Sequence, residues 1–172
     1  EEAPETVLFE ILHPLGFNAA QVRDICQTLD GQPGKVFATP GWRVIKDRGS
    51  LLIEPVQEAV KPLLEIKEHP YTPDFMIPRN KATACFDADK LQHPLSLRLC
   101  RQGDSFVPFG MKGRKKVSDY LTDRKFSLLR KERQWVLCCG YDIIWLVGER
   151  VDNRFRIDEK TRKVLVVSTI DQ

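Results

Sequence analysis

The sequence predicts an α+β protein of two small domains. An N-terminal helical pair carries a short antiparallel sheet, and a C-terminal antiparallel sheet carries short helices. Three observations predict it. Apolar residues recur at helical spacing from Val7 to Leu29 and then give way to short β-type runs. A Pro-rich stretch with Pro55, Pro62, Pro70, Pro73 and Pro78 divides the chain. The second half closes on strand-sized apolar runs, Trp135–Cys139, Ile143–Val147 and Arg162–Thr169. A chain of 172 residues accommodates one large domain or two small ones.

Each element has a local cause. Pro4 suits a first helical turn, and Val7, Leu8, Ile11, Leu12 and Leu15 form its apolar stripe before Gly16. Asn18 with Gln21 three residues on makes a capping-box pattern ahead of Val22, Ile25, Cys26 and Leu29, and Gly31 stops that helix. Strands are expected over Lys35–Ala38, Gly41–Lys46 and Ser50–Glu54, with Trp42, Val44 and Lys46 on one face. Arg43, Lys46 and Arg48 there are read as scattered surface charges, with ligand contact the rarer alternative. The first domain is placed at 1–55, a linker or meandering edge at 56–80, and the second domain at 81–172.

In that second domain Ala82–Phe86 and the alternating Leu95, Leu97 and Leu99 predict strands. Gly110 and Gly113 bracket a loop before a helix carrying Val117, Tyr120 and Leu121, and Ser127 caps a further short helix. Trp135–Cys139 and Ile143–Val147 read as a hairpin across Gly140-Tyr141-Asp142. Gly103-Asp104 and Asp152-Asn153 are read as turn residues that bond nearby backbone.

Charge is distributed unevenly. From Lys112 to Arg133 there are nine Lys/Arg against three acids, net +6 in a chain of formal net charge +3, so the remainder sums to −3. A local positive field on an otherwise neutral-to-acidic chain points to a polyanion, above all nucleic acid. A solvated basic face without a partner is the bland alternative, and charge alone does not separate the two. Arg150, Arg154 and Arg156, with Arg133, extend the patch if the fold brings them together. Phe106, Phe109, Tyr120, Phe126 and Trp135 interleave with the cations. Stacking on bases is one use for them and the core the commoner one, so the composition favours the backbone and shape of a duplex.

Other chemistries find little support. Five cysteines without a C-x-x-C pair read as reduced, mostly buried thiols of a cytoplasmic protein, and adjacent Cys138 and Cys139 in a strand point to opposite faces. No metal site is expected. His13, His69 and His93 each precede a proline and suit turns better than general-base work. Gly31-Gln32-Pro33-Gly34-Lys35 lacks the second half of a phosphate loop. The pair Asp119 and Asp123 lies beside Lys115, Lys116 and Arg124, where local ion pairs are the natural outcome. No catalytic residue is assigned. No apolar run is long enough to span a bilayer, the acidic start Glu1-Glu2-Ala3-Pro4 is no signal peptide, and the missing initiator Met suggests a piece of a longer protein.

Longer motifs carry a resemblance. Ala88-Asp89-Lys90-Leu91, Pro94-Leu95-Ser96-Leu97-Arg98 and the run Arg101-Gln102-Gly103-Asp104-Ser105-Phe106-Val107-Pro108-Phe109-Gly110-Met111-Lys112-Gly113 are similar to the C-terminal domain of bacterial tRNA(Ile)-lysidine synthetases. Lys115-Lys116-Val117-Ser118-Asp119-Tyr120, Ile144-Trp145-Leu146-Val147-Gly148 and Arg150-Val151-Asp152-Asn153-Arg154 continue it. The turn Leu15-Gly16-Phe17-Asn18 and the hairpin Lys46-Asp47-Arg48-Gly49 resemble the family's middle, substrate-binding domain. The resemblance implies an enzyme that uses ATP, with magnesium, to adenylate the wobble cytidine of the CAU anticodon of tRNA(Ile), after which lysine displaces AMP. The family binds ATP through a Ser-Gly-Gly-x-Asp-Ser loop that does not occur here. The chain is therefore expected to hold no cofactor and to be inactive alone.

The resemblance also implies that these domains grip the tRNA body, notably the acceptor stem. Lys112, Arg114, Lys115, Lys116, Arg124, Lys125, Arg130 and Arg133 are the expected RNA contacts. The competing expectation is a docking module in which the C-terminal unit meets the catalytic domain or a second subunit, the parent then being a homodimer.

Overall fold

The computed structural model describes residues 3–56 and 58–170. Glu1 and Glu2, which carry part of the signal-peptide expectation, lie outside them. The chain divides into two compact units, Glu1–Ala59 and Val60–Gln172.

In the first unit, helix α1 (Pro4–Leu12) runs through a 3-10 turn at His13–Leu15 to Gly16, whose φ of +96° is the left-handed conformation that favours glycine. Helix α2 (Ala19–Gln27) starts at the expected capping box: Asn18 Oδ1 accepts from the Gln21 N–H at 2.9 Å, and Gln21 Oε1 accepts from the Asn18 N–H at 3.0 Å. Strands β1 (Val36–Ala38), β2 (Trp42–Asp47) and β3 (Ser50–Pro55) form an antiparallel sheet in that order. Leu12, Phe17, Val22, Ile25 and Val44 are its core. Lys46 departs from expectation. It is buried, and its ammonium donates to the Arg48 carbonyl at 2.7 Å, so it locks its own hairpin. Arg43 pairs with Glu54 across β2 and β3 and is no isolated surface charge either.

The second unit begins inside the stretch expected to be a linker. Strand β4 (Leu63–Pro70) pairs antiparallel with β12 (Lys163–Ile170) along its whole length, and β12 pairs on its other side with β5 (Thr83–Asp87). Pro62 precedes β4 and Pro70 ends it, so neither interrupts the ladder. As an edge strand it also exposes most of its residues, which is why its composition resembles a loop.

A four-stranded sheet runs β11 (Arg150–Val151), β10 (Asp142–Leu146), β9 (Trp135–Cys139), β6 (Leu95–Leu99). Its central strands β9 and β10 are buried on both faces. Leu137, Cys139, Ile144 and Trp145 pack with Ala84, Phe86 and Val167 of the β4–β12–β5 sheet. Val136, Cys138, Ile143 and Leu146 pack against Phe106 and against Val117, Tyr120 and Leu121 of helix α3 (Val117–Asp123). Adjacent Cys138 and Cys139 thus serve separate cores. Each large side chain so buried contributes roughly 1.5–3 kcal/mol relative to exposure. No helix among the described residues is long and apolar enough to cross a membrane.

Candidate nucleic-acid interface

The basic segment is built onto the four-stranded sheet by two carboxylates, Asp104 and Asp152. Leaving β6, the chain turns at Arg101–Asp104. Arg98 grips Asp104 through two bonds, at 2.8 and 2.9 Å, and the Arg101 N–H donates to the same carboxylate at 2.7 Å. Burial alone would raise the Asp104 carboxyl. The Arg98 bonds and the Arg101 N–H outweigh it and hold the group below the ordinary carboxylate range. Nearby, burial beside Asp104 pushes the Cys100 thiol up to about 11.

Strand β7 (Ser105–Phe106) then pairs with β8 (Lys115–Lys116), and the loop 107–114 hangs between them. Asp152 sits fully buried under that loop. Its Oδ2 accepts from the Val107 N–H at 2.9 Å and from Arg154 at 3.0 Å; its Oδ1 accepts from the Arg154 backbone and Nε at 2.8 and 3.0 Å. Asn153 Oδ1 accepts from the Gly110 N–H at 3.1 Å, where φ of +85° suits glycine. Asp152-Asn153 therefore bond not only nearby backbone, as the sequence suggests, but backbone more than forty residues upstream. Dipeptide composition carries no signal of that partner.

The eight expected contact residues fall into distinct settings. Lys112 and Arg114 lie exposed on the loop, with Arg114 donating to Ser105 Oγ at 3.1 Å. Lys115 and Lys116 are in β8, not in the loop or the helix. Lys115 pairs with Asp123, as local ion pairing predicts, while the Lys116 side chain is exposed. Lys125 is exposed with φ of +61° just after α3. Arg130, on helix α4 (Leu128–Glu132), lies 3.8 Å over the buried Phe126 ring. Arg133 is exposed and engaged in a contact of its own. The side chains of Lys112, Lys116 and Lys125 make no ion pair or hydrogen bond among the described residues.

Arg124 faces elsewhere. It lies 3.5 Å from Glu149 and lines a cleft together with Arg79, Lys81 and Arg150. Of the other arginines considered, Arg150 joins this cleft and donates to the Tyr120 hydroxyl at 3.0 Å. Arg154 turns inward to Asp152 and Asp142, and Arg156 donates to the Asn153 carbonyl. Arg124 and Arg150 thus share one cleft, whereas Arg154 is held by the carboxylates of Asp152 and Asp142. Tyr120 and Phe126 are core residues, as expected, and Tyr120 meets Phe106 edge-on at 5.3 Å.

Residues 1–56 match the family model described as TilS substrate binding domain, and residues 95–168 match the TilS substrate C-terminal domain. The chain is 60% identical to a tRNA(Ile)-lysidine synthase of Bacteroides thetaiotaomicron, across 99% of this chain and 41% of the relative. The chain belongs to the tRNA(Ile)-lysidine synthase family. It is also 47% identical to the tRNA(Ile)-lysidine synthase of Parabacteroides distasonis, covering 96% of this chain and 41% of that one. It thus spans about two fifths of the length of the tRNA(Ile)-lysidine synthases it matches. A crystal structure of a TILS C-terminal domain aligns with 80% of this chain and 92% of its own at 18% identity, with a TM-score of 0.48. Within the tRNA(Ile)-lysidine synthase domains, all eight expected contacts fall in the C-terminal match. Arg79 and Lys81 of the cleft lie outside both matched segments. The sequence singles out Phe109 and Arg150 of this cleft but not Arg79, Lys81 or Glu149, because an isolated charged residue shows no pattern along the chain.

Proposed function

We propose that this chain is the tRNA-binding part of a ligase that joins lysine to the wobble cytidine of the CAU anticodon of tRNA(Ile), forming lysidine in the cytoplasm. The parent protein uses ATP with magnesium at a catalytic domain outside this chain. The chain itself grips the tRNA body near the acceptor stem and performs no chemistry. The observation that carries this reading is the group of exposed cations, Lys112, Lys116 and Lys125 foremost, without a side-chain partner among the described residues, on a C-terminal domain of this family. A-form RNA is held mainly through phosphates and 2′-hydroxyls, and such ammonium groups fit the phosphates.

The test is a salt titration of tRNA affinity. Replacing both Lys115 and Lys116 by Ala should weaken binding and reduce the slope of log K against log salt by about 0.7–0.9 for each phosphate no longer neutralised. Lys116→Ala alone should account for most of the change, because Lys115 is already neutralised by Asp123. An unchanged slope removes β8 from the interface. A second reading, docking of the C-terminal unit on the catalytic domain or on a second subunit, is favoured by the exposed Leu63, Ile66 and Ile170 on the paired strands β4 and β12. Light scattering of the chain with and without tRNA separates the two.

A further inference from the structure

A cleft of about 520 Å³ opens in the second unit between the 79–83 segment, the end of α3 and the turn from β10 to β11. Four cations line it, Arg79, Lys81, Arg124 and Arg150, around one acid, Glu149. The Glu149 side chain is only 6% exposed. Lys81 Nζ stands 3.4 Å from Oε1, and Arg124 Nε stands 3.5 Å from Oε2. Oε2 is left with no hydrogen-bond donor among the described residues. A buried carboxylate oxygen without a donor is costly unless a ligand supplies one. Arg150 donates its Nε to Tyr120, and its terminal nitrogens make no hydrogen bond or ion pair among the described residues. Phe109, 47% exposed, stands between this cleft and a second hollow of about 210 Å³ walled by Ile77, Pro78, Ala84, Cys85 and Ile157.

We infer that the paired hollows form a subsite for one unpaired ribonucleotide of an RNA. The four cations hold its phosphates, Glu149 accepts a hydrogen bond from its ribose hydroxyl, and its base stacks on Phe109 toward the apolar hollow. A base paired within a duplex offers no free face to an exposed ring, whereas an unpaired one does. A carboxylate among phosphate-binding cations repels phosphate, so its place there is explained by a sugar or base donor. The inference rests on the RNA-binding function proposed above and adds a single-stranded element to it.

Fluorescence anisotropy on the 172-residue chain tests it with a blunt RNA hairpin and the same hairpin carrying a short 3′ single strand, in ribo and 2′-deoxy form. The ribo overhang should tighten binding about tenfold. Phe109→Ala and the bulkier Phe109→Leu should both remove that gain and leave hairpin affinity as it was. Glu149→Ala should abolish the preference for ribo over 2′-deoxy overhang; that ratio is read because losing an acid raises affinity for any polyanion. A hairpin that binds with no gain from the overhang, or with equal gain from its deoxy form, overturns the subsite and leaves the broader function standing. A chain that binds neither RNA overturns both.

Discussion

Asp152 lies under the basic loop with its side chain fully buried, and both of its oxygens are occupied by Val107 and Arg154. Removing it strands a backbone N–H and leaves a guanidinium without its main partner. Fully buried pairs broken in this way cost about 3–5 kcal/mol. Arg154 is 33% exposed, so Asp152→Ala should cost less, about 2–3 kcal/mol, read as a lowered urea midpoint. A shift under about 1 kcal/mol would mean that water replaces the carboxylate without penalty. Asp104 adds a pH dependence with a definite sign. Its folded pKa is depressed, so its stabilisation is complete above its unfolded value of about 4 and is lost as pH falls through the folded value. Asp104→Asn should therefore be the less stable form at neutral pH, with the gap narrowing below about pH 4. A gap unchanged at about pH 2 would detach the effect from the ionised carboxylate.

Elements with local causes are legible in the sequence and elements with distant causes are not. The capping box at Asn18 and Gln21 lies within four consecutive residues, and α2 starts where that pattern puts it. Asn18→Ala should cost about 1 kcal/mol of stability, seen as a lowered thermal midpoint of the first unit. No change would mean that packing of Val22 and Ile25 alone holds the helix. The hairpin of β9 and β10 is equally plain, because both strands are apolar almost throughout. Strand β4 is hidden: Leu64 and Ile66 do alternate with charged residues, but its partner β12 lies about a hundred residues away. Ile66→Pro, opposite Val167 in that ladder, should destabilise the second unit, which an exposed linker would not show. The site follows the same rule. A charge excess confined to Lys112–Arg133 can be counted along the chain, whereas the Arg79, Lys81, Arg124 and Arg150 cleft exists only once β5, α3 and β11 are assembled.

At the scale of the whole chain, the two units have separate cores. Leu12, Phe17, Val22, Ile25 and Val44 lie in one, and every residue of the clusters around Trp145 and around Leu121 lies in the other. All eight expected RNA contacts, the Asp152 support and the Glu149 cleft belong to the second. A chain reduced to residues 60–172 carries its own hydrophobic core and should fold by itself, giving a cooperative transition of its own. It should also bind the same RNA with the same dependence on salt, because all eight expected contact residues are retained. The first unit brings five Lys/Arg against nine Asp/Glu over residues 1–59, so its electrostatic contribution to a polyanion is weak or adverse. A reduced salt slope in the shortened chain would put phosphate contacts in 1–59. An equal slope with weaker affinity would instead assign that unit contacts that displace no counterions, and the measured slope therefore decides which unit holds the phosphates.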